Sequence, residues 1–308
     1  MMALKRRKPN STLLFVSLLL TCLFSAIFLA DDLSLAVKRG IELSLGTIIP
    51  SLFPFMILAD LTVYSMPRES GFAQKVFQRL LKLDGAVLGV FIIGNLSGAP
   101  VGASMISALR KSGELSREES ECALAISSGP SLAFAISGVG SAIWKNTLVG
   151  ICLYLSVIFA SVIYAVALSR GKAQVNHISH FVPKRFELIK SIEAATFASL
   201  RVTGVVTAFT VITHLVRKLK LSKLTSAVII SLLELGGAVS YLSGEALSMQ
   251  TALIITAFAL GFSGLSIHLQ VRSAIVDTDI RYSRFLLAKL IIGILAATIF
   301  SLFFMFIK

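Results

Sequence analysis

Apolar runs of membrane-spanning length, separated by short basic links, constrain the fold of this chain more than any other feature. The runs at residues 148–168 and 285–307 are almost purely apolar, and about 20 apolar residues are enough for a helix to cross a bilayer. Hydrophobic residues make up 56% of the 308-residue chain and charged residues only 15%, so a water-soluble domain of this size could not bury them. The sequence therefore predicts an all-α polytopic membrane protein.

The charge distribution is typical of membrane topology and not of nucleic-acid binding. The formal net charge is +13, but the basic residues lie mostly in short links between apolar runs and form no patch interleaved with aromatic residues. By the positive-inside rule, we expect residues 1–10, 67–84, 110–120 and 170–190 on the cytoplasmic side. Membrane lipids, and not nucleic acid, are the expected partners.

The amino-terminal segment predicts an extra, uncleaved span in the cell membrane. Basic residues at 5–8 precede an apolar run at 13–30, which is longer than the ~7 to 15 residues of a cleaved signal. Its basic front should stay in the cytoplasm. We divide the chain into an N-terminal cytoplasmic tail, signal-anchor span and amphipathic piece (1–42), a first membrane repeat (43–169), a basic cytoplasmic link (170–193) and a second membrane repeat (194–308).

The glycine-rich stretch Gly94-Asn95-Leu96-Ser97-Gly98-Ala99-Pro100-Val101-Gly102-Ala103-Ser104 interrupts an apolar segment. A helix break at membrane depth is tolerated only inside protein or beside water. Because basic residues flank the segment on both sides, we expect a re-entrant hairpin that turns near residues 97–100 and lines a cavity. The alternative is close helix packing, since Gly94, Gly98 and Gly102 have small-xxx-small spacing.

Three further interruptions follow along the chain. They are Ser127-Ser128-Gly129-Pro130-Ser131, Glu234-Leu235-Gly236-Gly237 and the stretch 261–270, which contains Ser263 and Gly264. Interrupted segments at corresponding places in two halves are typical of transporter repeats with a site near the membrane midplane. If each half has three crossings and one hairpin, the odd number inverts the second half and predicts two inverted repeats.

Two questions about these repeats stay open in the sequence. Matching the interruptions in order pairs residues 94–104 with 234–237 and residues 127–131 with 261–270, whereas matching identities pairs Ser97-Gly98 with Ser263-Gly264. The inverted arrangement also places four basic residues outside, against the charge rule. These are Arg217, Lys218, Lys220 and Lys223.

Glu234 is the first functional candidate, because an unpaired carboxylate in its apolar segment would be costly. It could bind a proton or cation, or it could form a structural ion pair with Arg201, Arg272 or Lys289. His268 and Gln270 could present hydrogen-bonding groups to a solute. The predicted solute or ion path contains Asn95, Ser97, Gly98, Pro100, Gly102, Ser128, Gly129, Pro130, Glu234, Gly236, Gly237, Ser263, Gly264, His268 and Gln270.

Motifs of common enzyme and cofactor classes are absent from the sequence. It contains no phosphate loop, no zinc-protease motif, no nucleophile elbow and no dinucleotide fingerprint, so we expect neither an enzyme nor a bound cofactor. The three cysteines lie in or beside apolar segments without paired spacing. His177 and His180 have no convergent ligands, so no metal site is predicted.

Four motifs resemble those of the YlbJ-type sporulation integral membrane proteins, in the same order, from about Gly46 to the carboxyl terminus. The motifs are Ser97-Gly98-Ala99-Pro100-Val101-Gly102-Ala103, Ser128-Gly129-Pro130, Leu233-Glu234-Leu235-Gly236-Gly237 and Gly264-Leu265-Ser266-Ile267-His268-Leu269-Gln270. The chain differs at Ala99, where an aromatic residue is expected, and at Ser127-Ser128, where Asn-Asn is typical. The family falls in the wider nucleoside-recognition, or Gate-domain, group. The resemblance implies a membrane protein of an endospore former that is needed to build the spore, particularly its cortex.

These observations support two hypotheses for the function. The first is a transporter-like protein of sporulation, in which an unknown small solute or ion passes Glu234 and the broken segments. The second is a non-transporting membrane scaffold for spore-envelope assembly, in which the glycines serve helix packing and the polar links bind partners. A homo-oligomer is possible under either hypothesis.

Overall fold

The computed structural model describes residues 16, 28–63, 71–170, 187–244 and 247–307, and these form α-helices and two π-helical segments without a strand. The predicted all-α class is confirmed. The predicted amino-terminal span lies almost wholly outside the described residues. The elements are α1 (Ala30–Leu43), π1 (Ser44–Ile48), α2 (Ile49–Val63), α3 (Phe72–Leu81), α4 (Ala86–Ser97), α5 (Ala99–Lys111), α6 (Arg117–Ser127), π2 (Phe134–Ile143), α7 (Thr147–Ser169), α8 (Leu188–Lys218), α9 (Lys223–Leu233), α10 (Leu235–Gly244), α11 (Met249–Phe262), α12 (Gly264–Ile275) and α13 (Tyr282–Ile307).

Several of these helices have the length and composition of membrane spans. Among the described residues, four segments are long and apolar enough to cross a membrane, and the number is five if α3 and α4, which meet at 90°, count as one bent span. α3 instead has the pattern of a helix on the membrane surface, because Phe72 and Leu80 are exposed on one side while Phe77 and Leu81 pack into the core. The four segments are Thr147–Ser169, Leu188–Lys218, Met249–Ile275 and Tyr282–Phe306.

The first long segment runs from α1 through π1 into α2 without a break and packs antiparallel to α8. Asp32 at its start binds Lys218 at the end of α8, whereas Met56 near its far end contacts Ser199. Pro50 has no N–H to bond the preceding turn, and the wide π1 turn lies directly before it. The predicted boundary at residue 43 therefore falls inside a continuous helical segment.

α4 and α5 fold back on each other at Gly98 and form the predicted hairpin. A Cβ added to Gly94 would lie 3.0 Å from the Cα of Gly102, whereas a straight helix would separate these residues by about 12 Å. Both glycines also touch the carbonyl oxygen of Ser127. The hairpin and the close glycine packing were alternatives in the sequence, and the structure contains both.

The other three interruptions differ in whether the chain turns back. α9 and α10 pack against each other around Glu234, whose extended backbone (φ −150°, ψ 126°) separates them, so they form a second hairpin. α11 and α12 continue through Ser263 as one span of 27 residues. α6 likewise leads through residues 128–131 into π2.

The helix ends gather at two opposite ends of the bundle. At one end, which we call the Arg110 end, Arg110 binds Asp279 and the Ser169 hydroxyl donates to the carbonyl oxygen of Leu80. At the other, which we call the Trp144 end, Trp144 packs with residues near the start of α9, the end of α10 and the start of α11. Residues 80, 110 and 169 thus share one end, as the predicted topology expects of their links.

The two halves use the same order of elements in opposite directions. Each half has a long segment, a hairpin, a broken span and a long helix, and each hairpin starts and finishes at one end: α4–α5 at the Arg110 end and α9–α10 at the Trp144 end. The hairpins therefore correspond to each other, and so do the breaks at 128–131 and Ser263. This is the register obtained by matching the interruptions in order.

Candidate functional site

All four interruptions meet at one cavity, which we call the central cavity. It offers about 60 Å³ to water-sized molecules, and one buried water needs roughly 10 to 15 Å³ by the same measure. Most of its wall is apolar, and the polar groups come from the breaks. It is lined by Ile48, Leu52, Gly98, Ala99, Pro100, Gly129, Pro130, Ser131, Phe134, Val202, Val206, Glu234, Leu235, Gly236, Ser266, Ile267 and Gln270.

The first hairpin reaches this cavity through its tip. Gly98 has φ +105° and ψ 168°, a conformation that residues with a side chain rarely adopt. Pro100 follows in the first turn of α5, where a missing N–H is harmless because that turn has no carbonyl to bond. The tip thus places the amino-terminal turn of α5 in the cavity wall.

Asn95 fixes the hairpin to the neighbouring break and does not line the cavity. Its side-chain nitrogen donates to the carbonyl oxygens of Phe91 at 2.8 Å and Ile126 at 2.9 Å. The Tyr154 hydroxyl in turn donates to the Asn95 carbonyl oxygen at 3.0 Å. A Cβ added to Gly129 would lie only 2.5 Å from the Asn95 side-chain oxygen, so the break at 128–131 is held tightly against α4.

Glu234 lies at the second hairpin and caps α10. Its Oε1 accepts a hydrogen bond from the Gly236 N–H at 2.7 Å, and its Oε2 accepts one from the Gly237 N–H. The side chain is buried, and the partial positive charge of a helix amino terminus stabilises a carboxylate there. The backbone of α10 therefore compensates the buried carboxylate of Glu234.

The alternative for Glu234, an ion pair with Arg201, Arg272 or Lys289, is not found among the described residues. Among the described residues, no contact within 4.0 Å joins its carboxylate to Arg201, Arg272 or Lys289. Arg272 lies over the Tyr282 ring, 5.3 Å from its centroid, and the Lys289 ammonium donates to a carbonyl elsewhere. The cap, together with the electrostatic attraction of Arg217, satisfies the carboxylate.

The last interruption contributes Ser266 and Gln270 to the cavity, but not His268. The His268 Nε2 lies 2.7 Å from the Phe262 carbonyl oxygen across the break. Its ring packs 4.6 Å from the Phe262 ring and 5.0 Å from the Phe285 ring. His268 thus holds the two parts of the broken span together.

Lys289 is a buried group whose role the sequence reasoning missed, since it treated Lys289 only as a partner for Glu234. Its side chain is fully buried in α13, and its ammonium donates to the Ser128 carbonyl oxygen at 3.2 Å. A lysine inside a span is itself a signal, because such residues usually have a partner or a function. Here it bonds a carbonyl freed by a helix break.

The predicted path residues fall into two groups. Gly98, Pro100, Gly129, Pro130, Glu234, Gly236 and Gln270 line the central cavity, and Gly237 lines a second cavity beside Glu234. The others hold the breaks in place: Asn95, Ser97, Gly102, Ser128, Ser263, Gly264 and His268. The apolar wall residues of π1, α2 and α8 could not be predicted, because no sequence pattern distinguishes them from lipid-facing neighbours. These residues are Ile48, Leu52, Val202 and Val206.

Side chains that could ligate a metal are scattered in the part of the chain that the structure describes. There, no group of three or more His, Cys, Asp and Glu side chains could hold a metal ion. Cys122 and Cys152 form no disulfide with another described residue. Cys22, His177 and His180 lie outside the described residues.

The fold and its cavity define a multi-pass membrane protein with broken helices around a central site. The chain is similar to the sporulation integral membrane protein YlbJ of Bacillus subtilis (strain 168), with 24% identity over an alignment of 306 residues that covers 85% of this chain and 75% of the relative. This similarity confirms the predicted resemblance to YlbJ-type proteins. No family model and no solved structure matches the chain.

Proposed function

We propose that this protein acts in sporulation and moves a small solute or ion across the cell membrane through the central cavity, with its amino terminus in the cytoplasm. The observation that carries the proposal is the meeting of four interruptions, from two oppositely directed halves, at one cavity. Broken helices of this kind form the substrate sites of many secondary transporters. The link to sporulation rests on the similarity to YlbJ, and the role in cortex formation rests on the resemblance alone.

The two hairpins suggest how such a cavity could open to either side. The α4–α5 tip reaches the cavity from the Arg110 end, and the α9–α10 tip reaches it from the Trp144 end. Small opposite movements of the two tips would expose the cavity to one end at a time. No catalytic step and no cofactor is part of the proposal.

Glu234 and Gln270 add a carboxylate and an amide to the mostly apolar wall of the central cavity. Glu234 uses each carboxylate oxygen for one backbone hydrogen bond, which leaves further lone pairs for a proton or a cation. Gln270, which lies on α12, adds an amide to the wall of the cavity. We therefore propose that a solute is selected by hydrogen bonding at Gln270 and coupled to the charge state of Glu234.

A cavity-filling substitution tests the proposal. Val206 lies in the cavity wall, whereas Ala208 on the same helix is exposed, so Val206→Phe should block the cavity and Ala208→Phe should not. The wild-type chain and both variants are expressed in Bacillus subtilis cells that lack YlbJ, and heat-resistant spores are counted alongside membrane abundance. We expect Val206→Phe to reach normal abundance and to yield few resistant spores.

The scaffold hypothesis predicts the opposite pattern. If Val206→Phe restores spores as well as Ala208→Phe does, the cavity is not a path, and partner binding by the polar links is favoured. Deletion of residues 171–186 then becomes the informative change, because it should abolish recruitment by a scaffold while sparing a transporter. Uptake of a panel of small solutes into vesicles that contain the wild-type protein identifies the solute.

A further inference from the structure

A second cavity, between α1, α8 and α10, carries a concentration of basic side chains. It offers about 200 Å³ to water-sized molecules, and we call it the basic cavity. Two arginines and a histidine lie in its wall, and none of the described residues there carries a carboxylate. It is lined by Ala36, Arg39, Leu43, Thr210, Thr213, His214, Arg217, Gly236, Gly237 and Ser240.

Two carboxylates close to the basic cavity, those of Asp32 and Glu234, already have partners. Asp32 binds Lys218 and lies 3.7 Å from the His214 Nε2. Glu234 caps α10 from within the bundle. Among the described residues, Arg39 has neither a salt bridge nor a side-chain hydrogen bond. Glu234 interacts electrostatically with Arg217, so Arg39 is the arginine of this wall that has no acidic partner among the described residues.

Arg217 is held at the cavity in a defined position. Its guanidinium donates to the Gly237 carbonyl oxygen at 3.1 Å and lies over the Tyr241 ring, 4.9 Å from its centroid. A guanidinium carries five N–H donors, and its planar fork matches the oxygen atoms of carboxylates and phosphates. The Thr213 and Ser240 hydroxyls in the same wall can add hydrogen bonds.

We propose that the basic cavity binds the oxyanionic group of a ligand, with Arg39 and Arg217 as its principal contacts. Two like charges in one cavity repel each other, and a bound anion offsets this repulsion by attracting both of them. The ligand is either a soluble carboxylate or phosphate compound or the phosphate of a lipid headgroup, which present the same chemistry. Binding here does not depend on transport through the central cavity, although both cavities share Gly236.

The position of the basic cavity connects it to Glu234. Gly236 and Gly237 donate their N–H groups to the Glu234 carboxylate, and both also lie in the wall of the basic cavity. An anion bound beside these residues would therefore lie next to the cap of α10. The site lies toward the Trp144 end, because Asp32 and Lys218 mark that end of α1 and α8.

The test measures phosphate binding to the purified full chain. Thermal unfolding in dodecyl maltoside is followed with increasing inorganic phosphate and with chloride at equal ionic strength. Arg39→Gln removes a guanidinium that makes no bond within the protein, and Lys38→Gln is the control because it removes the same charge from an exposed neighbour outside the cavity wall. We expect phosphate to stabilise the wild type, Arg39→Gln to weaken phosphate at least about tenfold, and Lys38→Gln to have little effect.

A lipid arm separates the two sources of the oxyanion. The same variants are compared in nanodiscs of phosphatidylglycerol and of phosphatidylcholine without added phosphate. Stabilisation by soluble phosphate in detergent supports a soluble ligand, and Arg39-dependent stabilisation only by phosphatidylglycerol supports a lipid ligand. Equal effects of phosphate and chloride, together with equal behaviour of Arg39→Gln and Lys38→Gln in both lipids, would overturn the proposal.

Discussion

The contact between the first hairpin and the next break predicts that Gly102→Ala is strongly destabilising. A Cβ at Gly102 would lie 1.9 Å from the Ser127 carbonyl oxygen and 2.8 Å from its carbonyl carbon. Both atoms belong to backbone, so the clash is relieved only if α5 moves away from the break by about 1 Å. Overpacking of this kind costs roughly 3 kcal/mol, and the better helix propensity of alanine returns about 1 kcal/mol. We therefore expect a net loss of about 2 kcal/mol of unfolding free energy.

Gly204→Ala is the matched control for this prediction. Gly204 also lies inside a helix, but a Cβ there would meet no atom within 4 Å, so only the gain of about 1 kcal/mol in helix propensity applies. Unfolding by sodium dodecyl sulfate in dodecyl maltoside micelles, followed by circular dichroism, measures both. If Gly102→Ala unfolds at the same detergent fraction as Gly204→Ala, the backbones at Gly94, Gly102 and Ser127 do not pack as closely as these distances require.

Three further outcomes follow from the same structure. Gly98→Leu should impair sporulation more than Leu88→Ala at equal abundance, because Gly98 has φ +105°; a fully active Gly98→Leu protein would contradict the strained tip. Glu234→Gln should still fold, since losing part of a cap costs about 1 kcal/mol, but should yield few resistant spores; normal spore counts would refute a functional charge. The Arg110 hydrogen bond holds the pKa of Asp279 below its ordinary 3.8, so Asp279→Asn should lower the thermal stability at neutral pH. The difference in thermal stability between this variant and the wild type should vanish as the pH falls below 3.8 and through the lower pKa of the folded state.

The positions of the helix breaks could be predicted from the sequence, because the residues that break helices are themselves visible. Gly98, Pro130 and Ser263 each lie where the chain leaves a helix. The sequence does not show whether a break forms a hairpin or a bend, because this depends on the backbone segments that pack against the break. The hairpin at Gly98 required Ser127 to approach both of its arms, and no local pattern reports such a contact.

The partners of the buried charges could not be predicted, because they are backbone atoms whose positions the sequence does not give. An ion pair of Glu234 with Arg201, Arg272 or Lys289 was the alternative to a functional carboxylate, because buried ions often pair. Glu234 and Lys289 instead bond backbone atoms freed by a break: Glu234 the N–H groups at the start of α10, and Lys289 the carbonyl oxygen of Ser128. Broken helices thus create both the need for these charges and the groups that satisfy them.

Two of the four basic residues that conflict with the charge rule, Arg217 and Lys218, have structural partners at the Trp144 end. Lys218 binds Asp32, which joins α8 to α1, and Arg217 binds the Gly237 carbonyl oxygen and covers the Tyr241 ring. The positive-inside rule counts charges without asking what they bind, and it is weakest where a basic residue is already engaged by the fold. Cysteine labelling at Lys75 and Lys172 in a cysteine-free background decides the matter. We expect labelling from the cytoplasmic side only, whereas labelling from outside only would reverse the orientation and place Arg217 and Lys218 inside.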